Sequence, residues 1–141
     1  MADKTRKFLE DVFSFYSKGE TDKFFHCFDS HVKWTLRGEH DLAGEFTSLK
    51  AVQDTYARYT ALLRDKPKHH LRYLVIEGSH AVAILLDEVV DKKGKNHLIN
   101  YSFLLELSKD GHKIVKVDNF VDSLQIDNLF KASSGKTRLI A

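Results

Sequence analysis

Apolar residues recur along this chain first with the period of a helix and then with the period of a strand. Over residues 3–18, Phe8, Val12, Phe15 and Tyr16 fall on one stripe at i, i+4, i+7 and i+8, which predicts an amphipathic helix. Gly19 suits the position just past its end. Glu20 or Thr21 then opens a short second helix through Phe24, Phe25 and Phe28, broken at Asp29-Ser30. His31 to Arg37 alternates as a strand, with Val32, Trp34 and Leu36 on one face, and Glu45-Phe46 reads as a further short strand. Thr47 or Ser48 caps a third helix whose stripe is Val52, Tyr56, Tyr59 and Leu63.

Beyond Pro67 the period is that of strands. His70 to Glu77, Ala81 to Val90, His97 to Leu107 and Lys113 to Asp122 are separated by short turn-forming stretches, so they are expected to run as an antiparallel meander. Leu124 to Phe130 predicts a short last helix, and 132–141 reads as a flexible polar tail after a single domain over 1–131. Three helices followed by a four- or five-stranded antiparallel sheet is an α+β layout. A strongly curved sheet wrapped around the helices makes a cone with one open end.

The closing strand carries polar groups on both faces. Val115, Val117, Asn119 and Val121 share one; Ile114, Lys116, Asp118, Phe120 and Asp122 share the other. Carboxylates beside aromatic and aliphatic side chains are what the wall of a small-molecule pocket needs.

Composition narrows the function classes. The 141 residues carry a net charge of +2 with lysines scattered along the chain, which argues against nucleic acid or a membrane surface as partner. The longest apolar run, Ala81 to Leu86, is far too short to span a bilayer. The one cysteine, Cys27, cannot form an internal disulfide, and a reducing cytoplasm fits that usage. The eight histidines show no metal-ligand spacing, so neither a metal nor another cofactor is expected. Ten phenylalanines are an unusual count; bulky aromatics fill a core, but they also line apolar pockets.

Several local signatures occur in a telling order: Phe15-Tyr16-Ser17-Lys18-Gly19-Glu20-Thr21-Asp22 at the first helix end, Val32-Lys33-Trp34-Thr35-Leu36-Arg37-Gly38, Leu42-Ala43-Gly44-Glu45-Phe46, and Asp110-Gly111 through Asp122. Together, over residues 5–131, they resemble the SnoaL-like branch of the nuclear transport factor 2 (NTF2) / ketosteroid isomerase superfamily. The resemblance implies a cone-shaped curved antiparallel sheet around three helices (a cystatin-like, NTF2-like fold). It also implies a range of activities, from isomerases, cyclases and dehydratases to non-enzymatic binders. Steroid isomerases use a tyrosine on the first helix, a basic aspartate in the first long strand and a protonated aspartate opposite. The matching places here hold Val12, Thr35 and Phe103. SnoaL-type cyclases keep an acid/base aspartate at the end of the last strand, where this chain has Asp122. Their histidine in the preceding strand has no counterpart in Tyr101 to Leu107.

The candidate catalytic residues are therefore Asp122, which could instead cap the last helix, and His40, in a loop that borders the pocket mouth in this fold. Tyr16, Val12, Trp34, Tyr56, Tyr101, Phe103, Asn119 and Asp118 are the candidate substrate-binding residues, each open to the plainer reading of core packing or solvation. Two functions fit: a cofactor-independent isomerase, cyclase or dehydratase acting by acid/base chemistry on an apolar carbonyl compound, or a non-catalytic module that binds a hydrophobic ligand or a protein. A homodimer is expected because the outer sheet face is apolar enough to want a partner.

Overall fold

The computed structural model describes residues 2–134. The first helix, α1 (Ala2–Ser17), buries Leu9, Val12, Phe13 and Tyr16, with Phe8 and Phe15 packed at the edge of the same stripe. It stops at Gly19, whose φ of 76° lets the Glu20 N–H turn back to the Phe15 carbonyl at 2.9 Å. A short helix, α2 (Thr21–His26), buries Phe24 and Phe25. Phe28, expected on that helix, instead opens β1 (Phe28–Arg37). After β2 (Gly44–Phe46), Ser48 caps α3 (Leu49–Thr60) by accepting from the Ala51 N–H at 3.2 Å. The remaining strands are β3 (Lys68–Glu77), β4 (His80–Val90), β5 (Asn96–Leu107) and β6 (Ile114–Val121), followed by α4 (Ser123–Ser134). Of the stretch expected as a polar tail, 132–134 continue α4, and residues 135–141 lie outside the described residues. No described helix is long and apolar enough to cross a membrane.

The fold is α+β, with one curved, unclosed sheet of six strands in the order β2-β1-β6-β5-β4-β3. The meander from β3 to β6 is antiparallel throughout, as the short turns require. The expectation of four or five purely antiparallel strands needs correction, because β1 joins the edge of β6 in parallel register, Trp34 beside Val117 and Leu36 beside Asn119. Hairpin logic sees only neighbours in sequence. Here the pairing strands are separated by α3 and the whole meander. α1 lies against β3, α3 against β1 and β2, and α4 against β5, so the helices fill the concave side.

Strand parity decides what faces that concavity. On β4, Ala81, Ala83, Leu85, Asp87 and Val89 point inward; on β5, Ile99, Tyr101, Phe103, Leu105 and Leu107 do so. A bulge between Leu71 and Tyr73 reverses the parity of β3 part-way along. His69 is buried before the bulge. Beyond it Leu74 and Ile76 turn inward, and Tyr73 and Val75 stand 63% and 64% exposed on the outer face.

Two tight connections hold the ends of the sheet. Gly38 has φ 123°, and a Cβ there would stand 2.7 Å from both the His40 ring and Ser123 Oγ, so only glycine fits. The Glu39 N–H donates to that Ser123 Oγ at 2.8 Å, tying the loop after β1 to the start of α4. In the β4–β5 turn, Asp91 Oδ1 accepts from the N–H groups of Lys93 and Lys95 at 2.8 and 3.0 Å, and Oδ2 accepts from His97 Nε2 at 2.7 Å. The His97 hydrogen bond first, then the two backbone donors, lower the Asp91 carboxyl from 3.8 to about 2. A folded-state value below the unfolded one means stability that is present above about pH 4 and is lost as pH falls toward 2. The difference in thermal midpoint between the wild type and Asp91→Asn is expected to be constant down to about pH 4 and then to shrink toward pH 2. A gap that stays constant over that range in calorimetry would show that Asp91 adds no pH-dependent stability.

Candidate functional site

The inward faces of the sheet and the helices above it enclose a cavity of about 670 Å³, counted out to open solvent at its mouth. Its walls are mostly aromatic and aliphatic: Phe24 and Phe25 from α2, Trp34 and Leu36 from β1, Phe46 from β2, Val52 and Tyr56 from α3, and Ile99 and Phe103 from β5. Trp34 meets Phe103 edge-on with ring centroids 5.5 Å apart.

One part of this apolar wall is polar and is tightly wired. Asp87, on the inward face of β4, is only 2% exposed and sits directly across the ladder from His69 on β3, also 2% exposed. His69 Nδ1 donates to Asp87 Oδ1 at 2.6 Å. The Tyr59 hydroxyl on α3 donates to Asp87 Oδ2 at 2.8 Å, and the Tyr101 hydroxyl on β5 donates to Oδ1. The Tyr56 hydroxyl and His69 Nε2 lie 2.9 Å apart, a hydrogen bond in which the hydroxyl donates when the imidazole is neutral. The Tyr16 hydroxyl lies 3.1 Å from that of Tyr101, and the Tyr16 ring stacks on His69 at 3.7 Å with 5° between planes. Burial first pushes all four tyrosines above the ordinary phenol value, followed by the Asp87 charge for Tyr16, Tyr56 and Tyr59 and by Tyr16 and then Asp87 for Tyr101, so they stand as protonated hydroxyls.

The sequence-predicted residues divide sharply. Tyr16, Trp34, His40, Tyr56, Tyr101, Phe103 and Asn119 all line the cavity. Val12 is fully buried in the core and is not on the cavity wall. Asp118 belongs to the outer face of β6, where it pairs with Arg37 at 2.8 Å. The carboxylates of the closing strand therefore face away from the pocket, and Asn119 is the polar group that β6 sends inward. Asp122, the expected acid/base group, is exposed: β6 ends at Val121, and Asp122 Oδ1 accepts from the Gln125 N–H at 3.0 Å as the N-cap of α4. His40 is 2% exposed and spends both ring nitrogens on the backbone. Nδ1 accepts from the Leu42 N–H at 3.2 Å, which leaves Nε2–H to donate to the Arg37 carbonyl at 3.0 Å. Its role is to shape the loop after β1.

Sequence reading missed the centre of this cluster, Asp87 and His69. A signal existed. The alternation of β4 places Asp87 among Ala81, Ala83, Leu85 and Val89, and a carboxylate on an otherwise apolar face must find buried donors. His69 and His70 do point to opposite faces, as adjacent strand residues must. His70 pairs with Glu88 outside, at 2.9 Å. Among the described residues no group of three or more His, Cys, Asp or Glu side chains could hold a metal ion.

Solved structures of the same architecture are numerous, and three show the range. An NTF2-like protein from Burkholderia thailandensis E264 superposes with a TM-score of 0.76 at 15% identity, over 89% of this chain and 96% of that one. The fold is NTF2-like. TerC, solved in a co-crystal with polyporic acid, gives a TM-score of 0.76 at 12% identity over 90% of this chain and 98% of that one. A putative SnoaL-like polyketide cyclase from Shewanella putrefaciens CN-32 gives 0.70 at 9% identity over 92% and 86%. No protein-family model and no curated protein sequence matches the chain. At 9–15% identity these likenesses show the fold alone.

Replacing Asp122 separates capping from chemistry. Asp122→Ala is expected to lower stability by about 1 kcal/mol, the usual worth of an N-cap, while leaving cavity binding unchanged. Urea unfolding and ligand titration on the same sample measure both. A variant of full stability that no longer binds would place Asp122 back in the site.

Proposed function

We propose that this protein is a cofactor-independent acid/base enzyme of SnoaL-like type: an isomerase, cyclase or dehydratase acting on an apolar carbonyl compound. One observation carries this reading: the chain Tyr56–His69–Asp87 at the wall of an aromatic cavity, with 2.9 and 2.6 Å between successive partners. The chain is a proton relay of the kind in which an imidazole, oriented by a carboxylate, serves a hydroxyl. A substrate proton passes to the Tyr56 oxygen as the Tyr56 proton moves to His69 Nε2. The resulting imidazolium is held against Asp87, and the substrate is left as an enolate. Return of the proton to another carbon completes an isomerisation; loss of a β-hydroxyl from the enolate, taking the relay proton, completes a dehydration. Tyr56 holds its proton firmly, so the relay works as a concerted transfer and not as a standing phenolate. Small-molecule use of the NTF2-like cavity has a parallel in TerC, crystallised with polyporic acid.

A binding-only role is the second reading. The places matching the three catalytic groups of steroid isomerases hold Val12, Thr35 and Phe103, which supports it. Deuterium exchange distinguishes the two. With 2-tetralone as a generic apolar ketone in heavy water, the wild type is expected to speed exchange next to the carbonyl, and Tyr56→Phe to lose about 10²–10⁴-fold of that acceleration. Wild-type exchange no faster than buffer, by NMR, would leave binding alone.

The protein is proposed to act in the cytoplasm as a homodimer formed through the outer face of the sheet. Val75, Val82 and Leu104 are register partners across β3, β4 and β5 there, between 37% and 64% exposed, with Tyr73, Ile84 and Phe120 alongside. Light scattering is expected to give twice the chain mass, and Val82→Glu with Leu104→Lys to give monomer. A wild type that scatters as a monomer at micromolar concentration would remove the dimer.

A further inference from the structure

Asn119 interrupts an aliphatic face. Val117 and Val121 share the inward side of β6 with it, and the register sets it between Leu36 of β1 and Phe103 of β5. It is 8% exposed and lines the cavity. Its Oδ1 is sealed within the wall and has no hydrogen-bond partner among the described residues. Nδ2 is not sealed in this way, so the end of the amide that faces the cavity is the N–H donor. A leucine would fill the position without burying an unpaired oxygen. The amide therefore costs stability that no contact among the described residues returns.

Asn119 also stands apart from the other polar groups. Tyr59, Tyr101 and His69 gather on Asp87, Tyr56 is bonded to His69, and the Tyr16 hydroxyl adjoins that of Tyr101. Asp87 meets β5 at Ile99 from one side, and Asn119 meets it at Phe103 from the other. Their strands, β4 and β6, are two strand spacings apart, about 10 Å. The floor between them is aromatic: Tyr101 and Phe103 have ring centroids 5.5 Å apart, and Trp34 stands edge-on to Phe103. The cavity thus has two polar ends joined by an apolar middle.

We propose that Asn119 forms a second polar subsite, which binds a carbonyl oxygen at the end of the substrate remote from the relay. The inference rests on the acid/base reading above and narrows its substrate class to apolar ring compounds with two carbonyl groups set apart. One carbonyl activates the carbon that gives up its proton near Tyr56. The other accepts from Asn119 Nδ2, and the rings between them cover Phe103. Asn119 is in this role a specificity-determining residue. It selects for length and for the second oxygen, and it fixes which end of the substrate meets the relay.

Calorimetric titration of the full chain with 2-tetralone bearing an acetyl or an isopropenyl group at ring position 6 tests this. The two ligands match in shape, and only the acetyl group adds a second carbonyl oxygen. The acetyl compound is expected to bind about tenfold tighter, and Asn119→Leu to remove that preference while leaving the affinity for plain 2-tetralone unchanged. In the unaltered protein the Asn119 side-chain amide signals are expected to shift in NMR with the acetyl ligand and not with the isopropenyl one, a readout that does not depend on a variant folding. Equal affinity for the two ligands overturns the second subsite, and Tyr56-dependent deuterium exchange then leaves the relay standing. A preference that survives Asn119→Leu and is lost in Tyr16→Phe overturns it in favour of the Tyr16 hydroxyl. A preference lost in Asn119→Leu, with no exchange of 2-tetralone by the wild type, removes the enzyme reading alone and upholds the subsite. Failure of every ligand to bind removes the cavity as a small-molecule site, and both readings with it.

Discussion

A carboxylate inside an apolar concavity governs this molecule. Asp87 could not stay there without donors, since an unpaired buried charge costs several kcal/mol. The donors come from three elements: Tyr59 from α3, His69 from β3 and Tyr101 from β5. The position of α3 over the sheet, the register of β3 on β4 and the orientation of β5 are thus all read by one side chain. The candidate site is not a decoration on a finished fold. It is one of the contacts by which the helical layer and the sheet recognise each other.

The other carboxylates show what Asp87 is being distinguished from. Asp91 closes a turn, Asp118 clasps an arginine on the outer face, and Asp122 begins a helix. Each is satisfied by donors that backbone geometry or a neighbouring strand supplies locally. Of these four, only Asp87 draws side-chain donors from three separate elements, at sequence separations of 14, 18 and 28 residues, whereas Asp118 meets one arginine on the strand beside it. The candidate site lies where the polar groups are buried and are drawn from several elements.

That contrast explains what could be read beforehand. Periodicity placed the helices and strands, because Val52, Tyr56 and Tyr59 or Val32, Trp34 and Leu36 declare their faces within a few residues. It also placed most of the aromatic wall. The parallel pairing of β1 with β6 was hidden, since no local turn announces it. Asp122 misled because an aspartate at a strand end is equally an N-cap, and the two differ only in where the strand stops: β6 ends at Val121, one residue earlier than the pattern suggests. His40 misled because its ring nitrogens are consumed by Arg37 and Leu42, a fact of loop geometry. His69 lay one residue outside the expected strand.

The bulge in β3 has a further implication. Because parity changes between Leu71 and Tyr73, the strand is two strands in effect. The first half answers to the site through His69, and the second half supplies Tyr73 and Val75 to the outer surface. A single irregular residue uncouples the two. Substitutions on the outer surface can accumulate in the second half without disturbing the imidazole, and the pocket can be retuned without altering what the sheet shows to a neighbour. The bulge thus lets one continuous strand turn His69 inward near one end and Tyr73 and Val75 outward beyond it, where unbroken alternation would have sent all three to the same face.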